Sequence, residues 1–188
     1  MGSSKSAQAL ITKFNYEERG MSVWLIKPGV DDRDGKAVVM SRIGLSCSAR
    51  VIAPGENIAD AYRTAGRFDV IIADEAQFFT PEQVDQLRWL VDMEDLPILC
   101  FGLRTDFLTR SFPGSRRLME LADSISEVKT VCACGSKATV NARIGPDGRV
   151  LTTGAQVMLG GNDSYTAMCH RCWKRKVMEQ EWQEFIAL

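Results

Sequence analysis

The chain has 188 residues, 45% hydrophobic and 25% charged, with a formal net charge of −1. That length is ample for a packed core, and allows one ordinary domain or one domain with a small module. The balanced charge excludes a generally basic nucleic-acid binder, and the absence of any apolar run near the roughly 20 residues of a membrane span, or of a secretory signal, points to a cytoplasmic globular protein with no membrane partner.

In chain order, Ala7 to Arg19 is predicted helical, with Ala9, Leu10, Ile11 and Phe14 near helical spacing and Gly20 as the stop. Ser22 to Lys27 reads as a buried strand closed by Pro28-Gly29. Asp31 to Lys36 is a polar loop, Ala37 to Met40 a short apolar run of either type, Ala49 to Ile52 a short strand, and Asn57 to Ala65 a short helix. Asp69 to Ala73 is an apolar strand that runs straight into Asp74-Glu75. Thr80-Pro81-Glu82-Gln83 carries a hydroxyl N-cap, Pro at N1 and Gln at N3, and Val84, Leu87, Leu90 and Val91 give the helix it starts one apolar face. Pro97 to Gly102 is the next buried strand. Helices alternating with continuous apolar strands predict an α/β fold with a parallel sheet covered on both faces.

The pattern changes after about Val128. Ala138, Val140 and Ala142 alternate, Pro146-Asp147-Gly148 is a turn, and Arg149 to Thr152 returns, which predicts a small antiparallel hairpin. Trp173 to Leu188 is a predicted closing helix. The expected division is therefore an α/β domain over 1–128 and a smaller domain with the closing helix over 129–188.

The only histidine, His170, lies inside Cys169-His170-Arg171-Cys172, so no separate imidazole exists for a Ser–His or Cys–His pair. Chemistry must come from carboxylates, lysine, arginine, metal or phosphate-binding backbone. Gly2-Ser3-Ser4-Lys5-Ser6 before a helix has the Lys-Ser end of a phosphate loop, in which backbone amides cradle phosphate, the lysine reaches the outer phosphates and the hydroxyl binds Mg²⁺. Such a run is also common at flexible N-termini. Asp74-Glu75 sits at the carboxyl end of a strand, where open α/β sheets bind ligands; the pair reads as a Mg²⁺ organiser with a neighbouring base, or as two solvated acids. Gln77-Phe78-Phe79 places aromatics beside it, Phe79 being the better core candidate.

Cys132-x-Cys134 and Cys169-x-x-Cys172 offer four thiolates for a closed tetrahedral zinc site, although the first spacing is one residue short of the usual pair. Buried free thiols, or a site that uses His170, are the alternatives. Cys47 and Cys100 read as structural. Gly160-Gly161-Asn162-Asp163-Ser164-Tyr165 is either a turn or a close approach of backbone to a ligand.

Taken together and in this order, Lys5-Ser6 and its helix, the Asp31-Asp32-Arg33 loop, Asp74-Glu75-Ala76-Gln77-Phe78, Gly102-Leu103-Arg104-Thr105-Asp106-Phe107, the first cysteine pair, Gly160-Gly161 to Tyr165 and the second cysteine pair resemble the zinc-containing thymidine kinases of bacteria and the animal cytosol. Asn15 to Met21, Ser41 to Ser46 and the short Cys-x-Cys spacing are similar to the bacterial branch. The resemblance implies a RecA-like P-loop domain with a zinc-held lasso domain, a homotetramer, and transfer of the γ-phosphate of ATP to the 5′-hydroxyl of thymidine, giving thymidine monophosphate for nucleotide salvage and DNA precursor synthesis.

It further implies roles for individual residues. Gly2, Ser3, Ser4, Lys5, Ser6, Asp31, Asp32, Arg33, Asp74 and Gln77 would bind ATP and Mg²⁺, with Glu75 as the general base. Met1, Phe78, Leu103 and Phe107 would enclose the base. Gln156, Val157, Met158, Leu159, Gly160 and Tyr165 would form the lasso, and Cys132, Cys134, Cys169 and Cys172 would hold zinc. Thymidine triphosphate is the expected feedback inhibitor. The family has a strand and a glycine ahead of the position of Met1, so this sequence is expected to begin downstream of the natural start. Ser4 stands where the family has a glycine, and is expected at positive φ. A catalytically impaired nucleoside-binding relative, or a zinc-ribbon module that binds nucleic acid through Arg171, Lys174, Arg175 and Lys176, are the competing readings.

Overall fold

A computed structural model describes residues 4–29, 37–157 and 164–186 of the chain. Met1, Gly2, Ser3, Asp31, Asp32, Arg33, Met158, Leu159 and Gly160, all assigned to ligands above, lie outside the described residues.

Four strands form a parallel sheet in the order β4 (Arg50–Ile52), β1 (Val23–Pro28), β5 (Val70–Ala73), β6 (Ile98–Cys100). Their run of apolar side chains is buried on both faces by simple alternation. Trp24, Ile26, Ile71 and Ala73 point to the side covered by α2 (Ile58–Ala65) and α3 (Pro81–Glu94). Leu25, Val70 and Ile72 point to the other side, onto Ala9 and Leu10 of α1 (Lys5–Glu17). A two-stranded ribbon, β2 (Val38–Met40) with β3 (Ser46–Ser48), lies beside α1. This settles the short apolar run at 37–40 as a strand; its partner Ser46–Ser48 carries no apolar signal and was not predicted.

Cap chemistry sets the helix starts. Thr80 and Gln83 make the reciprocal capping box, each backbone N–H reaching the other's side chain at 3.2 Å. Gln83 does more than cap: its Nε2 donates to the carbonyls of Ala53 and Glu56, tying α3 to the loop between β4 and α2. The Asn57 side chain caps α2 through the amide of Asp60. The helix α4 (Pro113–Leu121) was not predicted. Its Gly114 is pressed so close to the carbonyls of Phe79, Gln77 and Ala76 that a Cβ would collide with backbone. Only glycine lets α4 seat against the 3-10 turn Ala76–Phe78 that follows β5.

The chain divides into two compact units: one spans Ser4–Arg104 and Phe112–Ser126, the other Met1–Ser3, Thr105–Ser111 and Glu127–Leu188. In the second unit the predicted hairpin is narrower than expected. A tight turn carries Gly145 N to Arg149 O and one bridge, Ile144 with Val150. The longer ladder of β7 (Val140–Arg143) goes instead to β8 (Tyr165–Met168). Beyond the bridge one more bond, Leu151 N to Arg143 O at 2.9 Å, joins the two arms. The predicted alternation does hold, with Ala138, Val140 and Ala142 all buried. The closing helix α5 (His170–Ile186) starts earlier than predicted, because Cys169 Sγ accepts the amide of Cys172 and the Trp173 amide bonds Cys169 O. No helix among the described residues is long and apolar enough to cross a membrane.

Candidate functional site

The first cluster is built where β5 ends and α1 begins, both in the sheet unit. Asp74 extends the ladder, its amide bonding Ile26 O at 3.0 Å, and its side chain is only 4% exposed. Burial, then the adjacent Glu75 charge, push the Asp74 carboxyl up to about 6, against the hydroxyl of Ser6, the Glu75 backbone and the ammonium of Lys5, which favour its ionised form. One oxygen, Oδ1, is buried with no hydrogen-bond partner among the described residues. A buried carboxylate oxygen without a partner is costly, and a hard cation accepts such an oxygen, so the donor set fits Mg²⁺.

Lys5 and Ser6 are the first residues of α1, and Ser4 precedes them at φ 56, ψ 20. The positive φ expected at Ser4 is therefore present, and the side chain costs about 1 kcal/mol relative to a glycine. No side chain caps this helix start, and its first turn holds no acidic residue. Uncapped amides at the positive end of the helix dipole favour an anion such as phosphate.

Glu75 also adopts the left-handed region, at φ 51, ψ 35, and opens the 3-10 turn. Gln77 is 1% exposed. Its Nε2 donates to Glu75 Oε2 at 2.5 Å and its Oε1 accepts the Leu103 amide at 3.0 Å. The carboxamide therefore braces Glu75 against the end of β6. Gly102 leaves room for it, since a Cβ there would lie 2.9 Å from Gln77 Oε1. Leu103 is held in turn by the Ser115 hydroxyl, which donates to its carbonyl at 2.5 Å. Phe78 packs edge-on against Phe112, centroids 5.5 Å apart, while Phe79 is core. Lys27, unremarked in the sequence, is buried on β1 with Nζ 3.1 Å from Val38 O.

The second unit brings Phe107, Gln156 and Tyr165 into one network around Arg143, whose guanidinium bonds the Tyr165 hydroxyl and the Gln156 carbonyl and covers the Phe107 ring. Val157 is exposed. Nothing in the alternating pattern of β7 singles out Arg143, which falls on its polar phase.

The four cysteines converge, all Sγ atoms within 4.8 Å of one another. A tetrahedral Zn²⁺ with Zn–S bonds of about 2.3 Å requires Sγ–Sγ separations of about 3.8 Å. Cys134 and Cys169 stand 3.7 Å apart. The short Cys132-x-Cys134 spacing is accommodated by a knuckle in which Gly135 N bonds Cys132 O and Cys132 N bonds Ser136 O, both at 2.8 Å. The Ser136 hydroxyl and amide lower the Cys134 thiol, while its cysteine neighbours raise that of Cys172. His170 is not in the cluster; its ring contacts Trp173 instead. Cys100 is partly buried on β6, and desolvation of its thiol pushes it up to about 12, as befits a structural residue.

The thymidine kinase family model matches residues 1–173. A thymidine kinase of Ruegeria pomeroyi is 42% identical over 177 residues, 93% of this chain and 89% of its own. That of Shewanella oneidensis is 39% identical over 182 residues, 95% of each chain. That of Enterobacteria phage T4 is 42% identical over 176 residues, 92% of this chain and 91% of its own.

The raised Asp74 value makes stability depend on pH. Between an unfolded value near 3.8 and a folded value of about 6, the folded chain binds the extra proton, so stability falls as pH rises through that window. Asp74→Asn removes the cost of the buried charge. Urea unfolding of this variant should give a gain of up to roughly 3 kcal/mol at pH 7.5 that shrinks towards zero by about pH 4. Equal stabilities of the two proteins at every pH would contradict the burial of this charge.

Proposed function

The chain belongs to the thymidine kinase family, and from that premise we propose that it transfers the γ-phosphate of ATP to the 5′-hydroxyl of thymidine, giving thymidine monophosphate. The observation that most supports this reading is the partnerless, buried Asp74 oxygen beside Ser6 at an uncapped helix start. Phosphoryl transfer is catalysed by positioning and charge neutralisation, with little covalent help from protein, and it needs no histidine.

Lys5 and the first amides of α1 take up the charge of the outer phosphates, with Gly2, Ser3 and Ser4 as the rest of that loop and Asp31, Asp32 and Arg33 as a further nucleotide contact. Ser6 and Asp74 hold Mg²⁺, which when bound neutralises charge on the transferring group. Glu75 accepts the proton of the 5′-hydroxyl as oxygen attacks phosphorus. Gln77, by holding Glu75 Oε2, keeps that carboxylate in one rotamer. On the sheet unit Phe78 and Leu103 serve the nucleoside; on the cysteine unit Phe107, Gln156, Val157 and Tyr165 do so. Met1, Met158, Leu159 and Gly160 are assigned to the same ligand. Cys132, Cys134, Cys169 and Cys172 hold a structural zinc.

The proposal includes a cytoplasmic enzyme with no nucleic-acid or membrane partner, open to feedback inhibition by thymidine triphosphate. It also includes a homotetramer, which the exposed apolar side chains Ile11 and Phe14 of α1 and Ile43 of the β2–β3 turn support.

Steady-state assay with ATP, Mg²⁺ and thymidine tests the reaction. Glu75→Gln should lower turnover by about 10²–10⁴-fold and leave thymidine binding largely intact. Full turnover in that variant would sink the base assignment, and a wild-type protein that makes no thymidine monophosphate would favour the catalytically impaired relative. Elemental analysis should find one zinc per chain, with activity and the thermal transition of the cysteine unit both lost on chelation; zinc well under stoichiometric counts against the site.

A further inference from the structure

Arg143 is 2% exposed, yet no carboxylate pairs with it among the described residues. Its partners are neutral. Nε and Nη2 donate to the Tyr165 hydroxyl at 2.9 and 2.7 Å. Nη1 donates to the Ala155 carbonyl at 2.9 Å and Nη2 to the Gln156 carbonyl at 3.3 Å. The guanidinium lies 3.8 Å from the Phe107 ring centroid and 5.3 Å from that of Tyr165. Register accounts for the pairing with Tyr165, which stands directly opposite Arg143 in the β7–β8 ladder. Gly154 brings the next backbone close: a Cβ there would sit 3.5 Å from Nη1 and 3.9 Å from the Phe107 ring.

Burying a guanidinium on neutral acceptors is an expensive way to fill a small core, and an apolar residue would be cheaper there. What the guanidinium does, and an apolar residue could not, is orient two successive peptides. In a trans peptide the carbonyl of one residue and the N–H of the next point in opposite directions. With the Ala155 and Gln156 carbonyls both turned to Arg143, the N–H groups of Gln156 and Val157 are turned away from it. Neither amide donates to an acceptor among the described residues. The Gln156 side chain is fixed too. Its Nε2 donates to Asp106 Oδ2 at 2.9 Å, while Asp106 Oδ1 accepts the amides of Leu108 and Arg110, each at 2.9 Å. Only a planar fork reaches a hydroxyl and two carbonyls at once; a lysine keeps the charge and loses the geometry.

We propose that Arg143 is a positioning residue for nucleoside recognition: it holds the Gln156 and Val157 N–H groups outward as a preset donor pair for a carbonyl edge of the pyrimidine. The proposal rests on the thymidine kinase reading and adds a residue that itself touches no substrate. Preset donors lower the ordering cost of binding, so their loss falls on nucleoside affinity and leaves the ATP contacts alone.

The test is steady-state kinetics of the full chain, varying thymidine and ATP separately, with zinc content and melting temperature measured on each protein. Arg143→Lys should raise the thymidine KM by about tenfold or more, the value of a charge-assisted hydrogen bond, with the ATP KM held within about twofold and zinc at the wild-type level. Tyr165→Phe keeps the ring and removes the acceptor of two of the four bonds, and should raise the thymidine KM by about threefold or more with the same split. A folded, zinc-loaded Arg143→Lys protein with an unchanged thymidine KM overturns the proposal. So does a joint rise of both KM values with loss of zinc and a lower melting temperature, which marks a general structural role. Should Arg143→Lys fail to fold, Arg143→Met, an apolar side chain of similar length, carries the same two outcomes. Wild-type protein that phosphorylates no nucleoside overturns the functional reading first, and the Arg143 proposal with it.

Discussion

A buried carboxylate at the end of β5 sets the terms for everything around it. Asp74 is drawn inward because its amide continues the ladder to Ile26, and the same step that satisfies the backbone takes the carboxyl out of water. The cohesion of the sheet does not need that charge. It is tolerated because α1 starts beside it with a lysine and a hydroxyl, and its partnerless oxygen is one that a cation would accept. The uncapped amides of α1 are the other half of the arrangement. Positive helix end, ammonium and buried acid are each unfavourable or incomplete alone, and together they suit a metal-bound polyphosphate. Glu75 bears the remaining strain, held in a left-handed conformation by the turn that follows.

The cysteine unit is governed by a different constraint. Its buried apolar cluster consists of Cys132, Ala138, Ala142, Val150, Met168, Cys169 and Val177. Most of these side chains are small, and two are thiols. Area burial of that kind stabilises a short module only weakly, and a metal held by the four cysteines would join the Cys132–Cys134 knuckle to the start of α5 and add cohesion. The Gln180 side chain adds a second tie, bonding both the amide and the carbonyl of Val150.

Much of this was legible in the sequence, for identifiable reasons. The strands at 23–28 and 70–73 are continuous apolar runs, and the Thr80-Pro81-Glu82-Gln83 start is local chemistry that one segment decides by itself. The acids at a strand end and the clustered cysteines are likewise local signals. What escaped detection depends on non-local contact. The β3 strand of Ser46–Ser48 exists only as the partner of β2. Helix α4 depends on Gly114 fitting beneath the carbonyls after β5. Gln77 reads as an ATP and Mg²⁺ contact, and its bracing of Glu75 requires the Leu103 amide, 26 positions away in the chain. Arg143 sits on the polar phase of β7, where alternation predicts solvent. It is buried because Tyr165 and the 154–156 loop cover it.

Burial holds the Asp74 carboxyl above its ordinary value, and in the proposed function a bound metal–nucleotide complex would lower it. A ¹³C NMR titration of the Asp74 carboxyl carbon, with and without ATP and Mg²⁺, measures this directly. The account predicts an apparent pKa of about 6 in the free protein, falling below about 5 with both ligands present. A free-protein value near the ordinary 3.8, unmoved by ATP and Mg²⁺, would contradict it.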